Sequence, residues 1–228
     1  EKIAKERGNT ISYIIDKNNM DELTKVNRDN TDAFVNHVTE IKLGRNSKLN
    51  IDKIQHVKGE QHICTEYVDQ ADHSTFKMNT LTTEGKLVRN GLNISVNGEN
   101  CNSFLNGLFI PKNDNHIDNH TLIEHKKPNC HSSECYKGII HDNATGVFNG
   151  KVIVYQDAQK IMAYQKNNNI VLSDKAQINA KPELEIYADD VKCSHGSTTG
   201  QFNEEALFYL MTRGLKKESA IKLLVNGF

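Results

Sequence analysis

Lys181-Pro-Glu-Leu-Glu-Ile-Tyr-Ala-Asp-Asp-Val-Lys-Cys-Ser-His-Gly-Ser-Thr-Thr-Gly200 closes a long β-rich run. Leu184 and Ile186 alternate with charged neighbours, the period of two expected of a half-buried strand. The Asp189-Asp190 step reads as a polar turn that satisfies backbone groups, in preference to an acid–base pair or a cation site. Beyond it Cys193 and His195 stand at i and i+2. On a strand that spacing puts thiol and imidazole on one face, within reach of one metal ion or cluster. Thiolate is a good iron ligand and neutral imidazole can replace it. Two ligands do not complete a tetrahedral site, so others must come from elsewhere. Without further context, a Cys-x-His is more often a buried thiol beside a hydrogen-bonded histidine.

The pattern upstream is also β. From about Thr39 it runs in short alternations, Ile41 with Leu43, Leu49 with Ile51, Phe76 with Met78, then Leu92, Ile94 and Val96. Apolar runs follow at Leu108-Phe-Ile110, Val152-Ile-Val154 and Ile170-Val-Leu172. Between them the pairs Asn90-Gly91, Asn97-Gly98, Asn106-Gly107 and Asn149-Gly150 read as turns built on residues that tolerate positive φ. Many short strands without a helix leave three architectures open: sandwich, barrel or β-solenoid. The first 30 or so residues, with Ile3, Ile11, Tyr13, Ile14 and Ile15, read as a strand or two plus loops. After Gly200 the period changes. Asn203 is an N-cap, Glu204 and Glu205 suit a helix start, and Ala206, Leu207, Leu210 and Met211 form an apolar stripe that Gly214 ends. A second helix starts near Lys217, with Ile221, Leu224 and Val225 on one side and Gly227 near its end.

Composition narrows the function classes. With 28 basic and 29 acidic residues in 228, a net charge of −1 and a pI near 6.9, no global field attracts nucleic acid or an anionic membrane. The absence of Trp also argues against a base-stacking surface. No apolar run reaches the roughly 20 residues of a membrane-spanning helix, and Glu1 to Arg7 lack a signal-peptide core. Five scattered cysteines without zinc-ribbon spacing favour free thiols in a reducing compartment.

The block Pro182 to Gly200, centred on Ala188-Asp-Asp-Val-Lys-Cys-Ser-His-Gly196 and followed by Glu204-Glu-Ala-Leu-Phe-Tyr-Leu-Met-Thr-Arg-Gly214, closely resembles the SufD branch of the SufB/SufD family. These are scaffold subunits of the SUF iron-sulfur cluster assembly machinery. Asp118-Asn-His-Thr121, Tyr136-Lys-Gly138 and Gly146-Val-Phe-Asn-Gly-Lys151 extend the likeness over about Ile117 to Phe228, and Val38-Thr-Glu-Ile-Lys-Leu-Gly44 carries it weakly upstream. Thr145 stands where the family commonly has Arg. The resemblance implies a mainly β fold, a right-handed parallel β-helix over residues 1–200 with a C-terminal α-helical segment over 201–228. It places the internal asparagines at corners. Both ends stop short of the family's full extent, so the chain reads as part of a longer polypeptide.

The same resemblance implies a non-catalytic subunit that pairs with a SufB-like paralogue and engages a SufC-like ABC ATPase. It implicates His195, with Cys193 beside it, in holding iron or a nascent cluster at the SufB contact; no cofactor is expected to stay tightly bound to this chain alone. Phe208, Leu210 and Met211 are expected to contribute to the SufC contact. Location would be the bacterial cytoplasm or a plastid stroma, with neither nucleic acid nor membrane as partner. SufB itself is the nearest rival, but its equivalent block carries Glu-His-Glu-Ala instead of Lys192-Cys-Ser-His-Gly196. A carbohydrate-active β-helix enzyme is the rival from another class; it needs clustered acids or bases and aromatic sugar platforms along a groove. Phosphate-loop, nucleophile-elbow and His-Glu-x-x-His motifs are absent. Cys130-His-Ser-Ser-Glu-Cys135, near His116, His120, His125 and His141, resembles half of a metal site without the second pair it needs. Cys130 and Cys135 are expected to be structural, Cys135 packing against Tyr136 and Ile139.

Overall fold

A computed structural model describes residues 34–201 and 203–228. The strands expected around Ile3 to Ile15 lie outside the described residues. The order is β1 (Phe34–Leu43), β2 (Lys48–Gln70), β3 (Thr75–Val96), β4 (Asn102–Phe109), β5 (His116–His125), β6 (His131–Ile140), β7 (Thr145–Val154), β8 (Ile161–Val171), β9 (Gln177–Ile186), β10 (Val191–Gln201), α1 (Glu204–Thr212) and α2 (Lys217–Gly227).

Every strand pair is parallel; β1, β2, β3 and β4 pair in sequence order, and from β3 onward strands also skip a neighbour to pair across a full turn. The first part of β3 pairs with β4, and β6, β8 and β10 follow in one wall. The second part of β3 pairs with β5, then β7 and β9, in the other. The long β2 and β3 run through both walls, with register shifts at Gln55/His56 and Val57/Gln61 where β2 turns between them. Lys48 stands beside Thr75, Thr75 beside Asn102, and Asn102 beside His131, so the same place recurs once per turn. The chain is a parallel β-helix with a two-helix C-terminal segment, as the resemblance implies.

Alternation decides what goes inside. Phe76, Ile94, Leu105, Phe109, Ile117, Ile123, Ile140 and Phe148 are all below 2 % exposed. Removing each such side chain from water contributes roughly 1.5–3 kcal/mol. Ile41, Leu43, Met78, Leu92, Val96, Val152 and Val154 join the same core, as their spacing leads one to expect.

The corners repeat as strictly as the walls. Asn46, His73, Asn100, Asn129 and Lys160 all adopt φ between 55° and 60°. Their N–H groups donate to Asp72, Glu99, Pro128, Gln159 and Asp190 carbonyls of the next turn at 2.6–3.3 Å. Asn113 and Asp142 form a second left-handed corner. Asn and Asp reach that region at low cost. The Asn-Gly pairs behave otherwise, which corrects the reading of them as turns. Asn90-Gly91, Asn106-Gly107 and Asn149-Gly150 lie inside β3, β4 and β7; Asn97-Gly98 alone is at a corner, without positive φ. Glycine there supplies room instead: a Cβ on Gly107 would lie 2.1 Å from the Tyr136 ring stacked over it. Nor are all asparagines corner residues, since Asn90, Asn119, Asn167 and Asn169 are buried.

The helices follow their capping signals. Asn203 accepts from the Ala206 N–H, and Gly214 at φ 92° ends α1 in a Schellman arrangement, its N–H donating to Met211 and that of Leu215 to Leu210. Leu207 and Ala220 are the buried residues of the pair. Lys137 of β6 donates to the Phe228 carbonyl at 2.6 Å, which ties the end of α2 to the solenoid wall.

Two outcomes follow from this packing. Ser74, Cys101 and Cys130 each follow a left-handed corner residue, and the Cys130 thiol donates to the Gly98 and Pro128 carbonyls. A serine hydroxyl has partners there, so Cys130→Ser should change the unfolding free energy by less than about 1 kcal/mol. A loss of about 1–3 kcal/mol, measured by denaturant titration, would mean that the hydroxyl is unpaired. Glu134 is buried, and burial pushes its carboxyl up from 4.5 to about 7, against weaker opposing contributions from Thr121 and Gln165. The folded state then keeps a proton that the unfolded chain has released, so raising pH favours unfolding. Wild type should lose stability relative to Glu134→Gln between pH 4.5 and about 7 and run level with it above. A constant difference across that window would contradict the burial.

Candidate functional site

The Cys193/His195 strand is the last of its wall. β10 pairs with β8 on one side and ends the strand order, and among the described residues no strand pairs with its other edge. Val191, Cys193, His195, Ser197 and Thr199 stand over Ile161, Ala163, Gln165, Asn167 and Asn169, all five of which are buried. Cys193 packs against the core while His195 is exposed. Burial pushes the Cys193 thiol up, and a hydrogen bond with the Ala163 backbone opposes it. A ligand that binds as thiolate must therefore displace a proton. A cavity of about 450 Å³ opens beside this strand, lined by Ser194, His195, Gly196, Cys135, Tyr164 and Lys166 among others.

A polar file lies beneath it. His195 stands over Gln165, Gln165 over Glu134, Glu134 over Leu105 and Leu105 over Met78, so the column changes from apolar to polar at Glu134. Gln165 Nε2 donates to Glu134 Oε2 at 2.9 Å. In the next columns Asn167 and Asn169 exchange amide hydrogen bonds, and Ser197 donates to Asn167 at 3.4 Å. The sequence carries a signal for this file: Gln165, Asn167 and Asn169 share parity with Ile161 and Ala163, where alternation calls for apolar residues. It is visible only once the inward parity is assigned.

The other flagged residues separate. Cys130 is buried at its corner, whereas His131 and Cys135 occupy the opposite parity of β6 and are half-buried. Cys135 therefore faces away from Tyr136 instead of packing against it, because neighbours in a strand point to opposite faces. His131 meets Phe104 and Tyr164 edge-on, and His125 is buried against Ser132 at 2.9 Å. His120 lies 2.8 Å from Asp118, and His141 pairs with Asp142. Among the described residues no three His, Cys, Asp or Glu side chains gather as a metal-binding group. Asp189 and Asp190 form the corner before β10, where the Asp190 N–H donates to Gln159. In α1, Phe208 and Met211 are 69 % and 43 % exposed, while Leu210 is half-buried.

Comparison with known proteins identifies the family. The family model "SUF system FeS cluster assembly, SufBD core domain" matches residues 3–228. The chain is 37 % identical over 158 residues to the iron-sulfur cluster assembly protein SufD of Escherichia coli, covering 69 % of this chain and 37 % of that protein. It is 38 % identical over 196 residues to a SufBD-family iron-sulfur cluster assembly protein of Synechocystis, covering 86 % and 43 %. It is 32 % identical over 197 residues to the chloroplastic protein ABCI7 of Arabidopsis thaliana, covering 86 % and 42 %. The matched region is about two fifths of the length of these relatives. A parallel β-helix that carries this core domain over nearly its whole length belongs to the SufBD family of SUF-system iron-sulfur cluster assembly proteins.

Proposed function

We propose that this chain is the core of a SufD-type scaffold subunit. It performs no chemistry of its own; it pairs with a SufB-like paralogue and offers His195 and Cys193 to iron or a nascent cluster at the boundary between the two. One observation carries this reading: the thiol and imidazole share the inward face of a strand whose outer edge has no pairing strand among the described residues. An incomplete ligand set on an unpaired edge suits a site that a second protein completes, since strand addition brings the partner's side chains into the same column. Iron and sulfide are cargo here. A SufC-like ATPase supplies the nucleotide energy, and the exposed Phe208 and Met211, with half-buried Leu210 beside them, form part of its docking surface. The five free thiols suit a reducing compartment, the bacterial cytoplasm or a plastid stroma.

Two experiments test this reading, both on the full-length protein co-purified anaerobically with its SufB-like and SufC-like partners. His195→Ala should leave the complex intact and reduce its bound iron and sulfide by at least about tenfold, the scale on which disturbing even a ligand's support weakens metal sites. Cys193→Ala should be milder, because imidazole is the exposed member of the pair. Normal iron and sulfide in the assembled His195→Ala complex would refute the ligand assignment. Met211→Glu or Phe208→Glu should weaken SufC binding without lowering the melting temperature of the isolated subunit. Unchanged affinity in a well-folded variant would leave these side chains no role in docking.

A further inference from the structure

The file beneath His195 is costly as it stands. Glu134 and Gln165 are 2 % and 3 % exposed, and Gln165 Oε1 has no hydrogen-bond partner among the described residues, whereas the Thr121 hydroxyl and the Gln165 amide both act on the Glu134 carboxyl. An unpaired acceptor in such a place costs about 1–3 kcal/mol. The amide of Gln165 is held firmly all the same. Its Nε2 is committed to Glu134, and it fills the space of a side chain at position 150, where a Cβ would lie 2.5 Å from it. With Nε2 directed to the preceding turn, Oε1 is the end left for the following one.

We propose that Gln165 is a positioning residue for His195: its Oε1 accepts the imidazole N–H that faces the solenoid interior, and Glu134 holds the amide in the orientation this requires. The donors available on β10 narrow to the imidazole. Ser197 is engaged with Asn167, and Cys193, a weak donor, stands over Ala163. His195 stands over Gln165 itself, one strand spacing away. With one nitrogen donating inward, the lone pair of the other points out of the open end, towards the boundary where iron would be held. Histidine ligands of metals almost always have such an acceptor behind them, which fixes tautomer and ring orientation. This assignment rests on the reading of His195 as a ligand, but the hydrogen bond itself exists or fails without any metal.

Imidazole ¹⁵N NMR of the full-length subunit, metal-free and at a pH where His195 is neutral, tests the bond directly. One tautomer should dominate in the wild type. Glu134→Gln, which keeps the shape but lets the Gln165 amide turn either way, should return the ring to a mixture of tautomers, and Gln165→Leu should do so fully. In the assembled complex both should weaken binding of added ferrous iron by roughly 10- to 100-fold. A wild-type imidazole with mixed tautomers, or one unchanged in a folded Gln165→Leu protein, would overturn the proposal; Glu134→Gln carries the same test if Gln165→Leu does not fold. A fixed tautomer combined with normal iron in the His195→Ala complex would remove the ligand reading while leaving the positioning bond in place.

Discussion

Parallel stacking fixes the surroundings of each wall residue: the residues one turn before and one turn after share its column. The interval is 27 residues at Asp52 and Asn79 and 31 at Glu134 and Gln165. Its hydrogen-bond or packing partners are therefore determined by parity and column, and a column tolerates a change of character only where both neighbours accept it. In the column of Met78 and Leu105 that change comes at Glu134. From there outward the buried side chains are polar: Gln165 donates to Glu134, and Asn167 to Asn169 and to the Tyr136 carbonyl. The corners obey the same rule, since Asn46, His73, Asn100, Asn129 and Lys160 each donate their N–H to a carbonyl of the next turn.

Alternation made much of this fold legible in the sequence. Ile41 and Leu43, Phe76 and Met78, and Leu92, Ile94 and Val96 are buried as their period of two requires. Asn203 and Gly214 cap α1 through local chemistry that depends little on the rest of the chain. Strand direction was not legible, because period two is the same in parallel and antiparallel sheets; the motif around Cys193 and His195 supplied it through resemblance. The Asn-Gly pairs misled for a physical reason. Glycine serves a turn by its freedom and a packed column by its lack of a side chain, and Gly107 under Tyr136 does the second. The polar file escaped notice because Glu134 and Gln165 are 31 positions apart and become neighbours only when the turn length is known.

The same geometry relates fold to function. A solenoid covers its columns between its ends, and among the described residues no strand pairs with the far edge of β10 or covers its inward-facing side chains as a further turn. Elsewhere an open edge of this kind invites unwanted pairing. Under the proposed pairing with a SufB-like subunit it would carry a half-built ligand set, and the cluster site would exist only in the complex. A buried carboxyl two strands below is difficult to justify by stability alone. The proposed support of the His195 imidazole would give it a purpose.

Pulsed EPR on the reconstituted complex, with ¹⁵N-histidine introduced only into this subunit and the partners left unlabelled, tests the central claim most directly. Trapped in a paramagnetic state, the cluster should display a ¹⁵N hyperfine coupling that disappears when His195 is replaced by Ala. A cluster formed in normal yield without any ¹⁵N coupling from this chain would contradict the account.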